Sequence, residues 1–176
     1  MGYGVVARIF HWGTVLMVLV MIPVGLIMTQ DVPRYIQDPL FILHKGLGVA
    51  VLTVVLLRIA WRVANPPPPL PVSLPRAQRL VAEATHVALY ALLLAMAVSG
   101  YVRVTSGGFP LEALDALGVP PLLGKDKALS EAASQFHQFA AFALIALIAL
   151  HVAAASYHGL VRRDGIVSRM WPPFSA

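Results

Sequence analysis

Four long apolar runs dominate the chain, separated by segments rich in proline, glycine and charge. The runs cover about 9–28, 41–64, 81–104 and 132–160. Each has the length of roughly 20 residues that a helix needs to cross a bilayer's hydrocarbon core. No other stretch is both long and apolar enough. The pattern therefore predicts an all-α fold, a four-helix transmembrane bundle forming one integral membrane domain over 1–176. The first run, interrupted by Pro23, resembles a signal peptide in position. Its long apolar stretch, with His11 and Trp12 at its start, predicts a retained helix instead.

The connections differ in character. Residues 30–40 are predicted as a short loop closed by Pro33 and Pro39. Residues 65–75 begin Asn65-Pro66-Pro67-Pro68-Pro69, a stiff extended strap that cannot be helical. The longest loop, 105–131, holds Gly107, Gly108, Pro110, Pro120, Pro121 and Gly124. Its apolar stretch over 111–117 suggests a short helix lying in the membrane interface.

Composition supports the membrane assignment. The chain is 59% hydrophobic and 12% charged, whereas soluble domains average about 45–50% apolar and about 25% charged. Charge then sets direction, because cytoplasmic loops carry the excess of Lys and Arg. The N-terminus, strap and C-terminal tail hold Arg8, Arg58, Arg62, Arg76, Arg79, Arg162, Arg163 and Arg169 against two acids, a formal +6. The opposite side holds Arg34, Lys45, Arg103, Lys125 and Lys127 against six acids, a formal −1. Both termini are expected to be cytoplasmic in a multi-pass membrane protein. The overall +5 then reports topology and gives no reason to expect a nucleic-acid partner.

Zero cysteines and six histidines bound the chemistry. Disulfides, thiolate-held metals and covalently attached haem are excluded. Ionisable residues in spanning helices are costly and usually functional. His11 opens the first helix, His44 the second, and His86 lies early in the third. The fourth carries His137, His151 and, at its exit, His158. Fourteen residues separate His137 from His151, which is about 21 Å along the helix and about 40° around it. Both face one stripe, near opposite membrane surfaces, with alanines between them. Two imidazoles from different helices are what the opposite faces of a haem iron need. His137 has His44 at matching depth, and His151 has either His11 or His86. Two b haems stacked in the bundle core would use four of the six histidines. Gly13, Gly46 and Gly48 beside these positions leave room for a porphyrin. Zinc or di-iron sites lack carboxylates in the spans. Met17, Met21, Met28 and Met96 suit core filling better than copper. Histidines used only for helix packing are the non-redox alternative.

Arg8-Ile9-Phe10-His11-Trp12, His44-Lys45-Gly46-Leu47-Gly48, Arg58-Ile59-Ala60-Trp61-Arg62 running into the proline strap, and His137 with His151 together resemble the bacterial cytochrome b561 family. That family includes membrane superoxide oxidases. More distant similarity extends to haem b subunits of hydrogenases and formate dehydrogenases. The resemblance covers nearly the whole chain except 105–131. It implies His11 with His151 as ligands of the cytoplasmic-side haem iron, and His44 with His137 as ligands of the outer one. His86 then becomes a neighbour of the haem on the stripe His86, Tyr90, Leu93, Ala97 and Gly100. Arg62 and His158 are candidates for contacts to the haem's propionates or a proton path.

The resemblance further implies electron exchange with ubiquinone, and in one branch oxidation of superoxide. An anionic substrate is drawn by cations, and Lys45, Lys125, Lys127 and Arg103 are the candidates on the outer side. The alternative implied function is an electron-transfer subunit, with a dehydrogenase or c-type cytochrome as redox protein partner.

Overall fold

The computed structural model describes residues 2–72 and 74–172. Four helices long and apolar enough to span a membrane account for most of them. They are α1 (Val5–Ile27), α2 (Arg34–Ala64), α3 (Arg76–Ser106) and α5 (Lys127–Ser156). A four-residue helix, α4 (Glu112–Asp115), sits in the long loop. This is the interfacial helix expected over 111–117, shortened because Gly118 turns the chain at positive φ.

The helices outrun the apolar runs because hydropathy marks only the hydrocarbon portion, while polar end turns reach toward the headgroups. Pro33 and Pro75 stand directly before α2 and α3. Asp126 caps α5, its carboxylate accepting from Leu129 N at 3.0 Å. Its own backbone N–H donates to Ser106 O at 2.8 Å, joining the start of α5 to the end of α3.

Pro39 departs from expectation. It lies inside α2 and does not close a loop. The carbonyl it leaves without an amide donor is that of Tyr35, whose side chain is 78% exposed at the helix start, where solvent can serve it. Pro23 likewise lies within a continuous α1.

Helix α3 packs most extensively on α5, α1 on α2, and α2 on α3. Among the described residues, α5 makes no comparable backbone approach to α1 or α2. The close contacts therefore run α1 on α2, α2 on α3 and α3 on α5, with a wider seam between α5 and the α1–α2 side. Val51, Val55, Leu93 and Leu144 form the buried core, with Met17, Met21, Ile59, Met96 and Ile148 against it. Leu144 lies one heptad from both His137 and His151, so this apolar layer separates two histidine-bearing ends by about 10 Å each way. Large side chains such as Leu16, Leu19, Phe139 and Phe142 are more than half exposed. Such a girdle faces lipid rather than water.

The end carrying both termini is tied shut. Arg8, only 7% exposed, donates to Tyr3 O at 2.8 Å and Pro172 O at 2.9 Å. Arg169 donates to Pro68 O and Pro69 O at 2.6 and 2.9 Å. A proline-rich strap has no helical partners for its carbonyls, so a guanidinium with five donors suits it. Trp12 Nε1 donates to Met170 O at 2.9 Å. Counted in the sequence as topology charges, Arg8 and Arg169 are buried fasteners of the tail.

Candidate functional site

Two histidine pairs cross the seam. At the end carrying the termini, His11 of α1 and His151 of α5 have ring centres 6.4 Å apart, with planes at 73°. At the other end, the loop end, His44 of α2 and His137 of α5 stand 6.3 Å apart at 78°. An imidazole nitrogen bonds a first-row metal at roughly 2.0 Å and lies about 1.1 Å from its ring centre, so rings on opposite sides of one ion would have centres about 6.2 Å apart. Both pairs have that separation. His86 also faces His151, but at 5.4 Å between centres, which is short for that arrangement. His86 thus touches the pair from α3, as a neighbour.

Glycines make these approaches possible. A Cβ on Gly25 would stand 3.0 Å from His44 Cε1, and one on Gly100 would stand 3.2 Å from His137 Cε1. Each glycine cradles an imidazole from the neighbouring helix. Gly13, Gly46 and Gly48, expected to make room, border open space, with nothing within 4 Å of a built Cβ. His44 Nδ1 is buried without a hydrogen-bond partner.

These observations fit a haem. Among the described residues, no three His, Asp or Glu side chains gather as a metal cluster would require. Imidazole pairs across a seam could supply two donors to an iron, and a haem would supply the rest.

Surrounding groups differ at the two ends. Arg58 lies 3.0 Å from His11 Nδ1 and 5.0 Å over the Tyr90 ring. Arg62 shares that ring at 5.6 Å. The expected stripe on α3 thus turns inward at four of its five positions. His86 meets His151, Tyr90 meets the two arginines, Leu93 joins the core, and Gly100 meets His137. His158 lies apart, its Nδ1 2.6 Å from Asp164 Oδ2, beyond a π-helical turn that extends α5 over Tyr157–Arg162.

At the loop end, Lys45 is engaged. Its Nζ donates to Glu112 Oε1 and Pro110 O, both at 2.7 Å. Partial desolvation pushes the Glu112 carboxyl up, but the Lys45 hydrogen bond outweighs this and holds it below its ordinary value. The Glu112 carboxylate is therefore ionised at neutral pH, and its bond to Lys45 anchors α4 to the residue after His44. The charge of Lys45 is locally neutralised, which changes its expected role as an open cation. Lys127 is exposed beside Glu131 at 3.7 Å, and Lys125 lies over Gly108. Neither of these two lysines has a hydrogen bond to the His44 and His137 pair. Arg103 follows Gly100 by one helical step on the same face, and its charge acts on both His44 and His137.

Sequence reasoning missed Gly25, the Glu112 partner of Lys45, and Ser99. The last hydrogen-bonds His137 Nδ1 at 3.0 Å. A polar residue in an otherwise apolar run was the available signal for it.

The sequence matches the family model described as "Prokaryotic cytochrome b561" over residues 2–173. It is 34% identical over 172 residues to "Cytochrome b561 homolog 2" of Escherichia coli strain K12, covering 96% of this chain and 90% of that one. It is 24% identical over 165 residues to "Probable superoxide oxidase CybB" of Yersinia pestis, covering 92% and 91%. With histidine pairs across a membrane bundle and a match along almost its full length, the chain belongs to the prokaryotic cytochrome b561 family of membrane electron-transfer proteins.

Proposed function

We propose that this protein holds two b haems and moves electrons from the outer face of a bacterial inner membrane to ubiquinone, with superoxide as the electron donor. The observation that carries the two-haem reading is the matched spacing of the His11–His151 and His44–His137 pairs. Each haem, when bound, supplies a one-electron carrier buried in low dielectric, tuned by its ligands. The balanced reaction is two superoxide anions, one quinone and two protons giving two dioxygen molecules and one quinol.

The chain's own residues divide the work. The four histidines bind and orient. The core around Val55 and Leu144 excludes water between the two ends. Arg58 and Arg62, half-buried on Tyr90, form a cationic corner beside the cytoplasmic-side pair, suited to propionate carboxylates. The His158 contact with Asp164, where the chain leaves the membrane, supports a proton path at that end. On the outer side, Arg103, Lys125 and Lys127 remain to attract an anion. The relative named a probable superoxide oxidase supports this donor.

The Lys45–Glu112 pair favours a second reading, in which a redox protein is the donor and the outer face needs no positive field. Rapid mixing of the oxidised holoprotein with superoxide separates the two. The superoxide reading expects fast haem reduction that slows as salt rises. It also expects quinol formation when ubiquinone is present. Glu112→Gln, which frees the Lys45 charge, should raise the low-salt rate by about two- to tenfold. Haem reduction no faster than with dioxygen alone would reject superoxide and favour the protein donor.

A further inference from the structure

Ser99 lies on α3 directly before Gly100 and is 7% exposed. Its Oγ is 3.1 Å from Met96 O and 3.0 Å from His137 Nδ1. A hydroxyl offers one proton and two lone pairs, whereas a carbonyl only accepts. The Ser99 proton therefore goes to Met96, and a lone pair of Oγ receives the Nδ1–H of His137. This arrangement holds His137 in the tautomer whose Nε2 is bare. Each ring also meets a helix backbone, His137 at Met96 and His44 at Met21, but the buried Nδ1 of His44 has no side-chain acceptor. The two axial candidates at this end are thus unequal, and a side chain orients only one.

We infer that Ser99 is a positioning residue. It fixes the ring direction and tautomer of His137, and through that ring sets the affinity and reduction potential of the outer haem. The inference rests on the haem reading of the His44–His137 pair. An imidazole N–H donated to an acceptor makes the opposite nitrogen a stronger donor to metal. A hydroxyl that itself donates onward is the better acceptor. Both effects favour the oxidised iron, so loss of Ser99 raises the potential. The roughly 460 Å³ groove between α3 and α5, bordered by Ala95, Val98, Ser99 and Phe136, leaves room for an added methyl. Ser99→Thr therefore keeps the hydroxyl without crowding.

The test is a spectroscopic redox titration of full-length, haem-loaded protein, with haem loss to a scavenger measured alongside. Ser99→Ala is expected to shift the reduced-to-oxidised ratio of one haem about tenfold, equal to 59 mV for one electron. The other haem should not move. Haem retention at the shifted site should weaken about tenfold, and Ser99→Thr should restore both values. Ser99→Cys, close in size and a weaker acceptor, should shift the same haem in the same direction and gives a second reading if the alanine variant does not fold. Unchanged potentials in the alanine and cysteine variants would overturn the inference. Equal shifts in the alanine and threonine variants would overturn it too, since packing alone would then account for them. A wild-type protein without a haem at this end would fail before any substitution, and would overturn the haem reading together with this inference.

Discussion

Replacing His137 with alanine is expected to remove one haem and leave the other. The haem-to-protein ratio should fall from about two to about one. The reason lies in the seam. His137 and His44 approach from helices whose backbones do not pack closely, so a haem between them would be held mainly by those two imidazoles. His151 sits fourteen residues further along α5 and belongs to the opposite end. The buried layer of Val51, Val55, Leu93 and Leu144 lies between the ends and insulates one from the other. His44→Ala should give the same spectrum as His137→Ala. The paired haemochrome assay and reduced spectrum read this directly. Retention of both haems in either variant would break the assigned pairing.

The second large effect separates two histidines that face the same partner. His11→Ala is expected to abolish the haem at the end carrying the termini, again halving the ratio. His86→Ala is expected to keep both haems and to shift only the spectrum or potential of that one. The distances decide this. His11 stands 6.4 Å from His151 between ring centres, as two ligands on opposite sides of one iron would. His86 stands at 5.4 Å and belongs to α3, so it meets the edge of the pair. Loss of the haem in His86→Ala with retention in His11→Ala would reverse the assignment.

Much of this was legible in the residues. The four spans follow from apolar runs, and the depth of each histidine follows from its place in a run. Spacing alone left His11 and His86 as equal partners for His151. Rotation between helices, which no single periodicity carries, separates them. Pro39 was misplaced because proline is a weak stop signal within the opening turns of a helix whose end is solvated. Lys45 looked like an open cation because its partner Glu112 lies 67 residues away in a loop without periodicity. Arg8 and Arg169 looked like topology signals, since nothing local marks the strap carbonyls and tail they bind. Gly25 and Gly100 are the instructive pair. Their neighbours across the interface, His44 and His137, are identifiable only after the helices are docked.

The central claim is that two imidazole pairs each hold one b haem in this bundle. Low-temperature electron paramagnetic resonance of the oxidised, haem-loaded protein tests it most directly. The ring planes cross at 73° and 78°. Near-perpendicular axial planes give strongly anisotropic low-spin ferric signals, and two such signals of equal weight are expected. A single low-spin signal, or a dominant high-spin signal from an iron lacking its second histidine, would contradict the account.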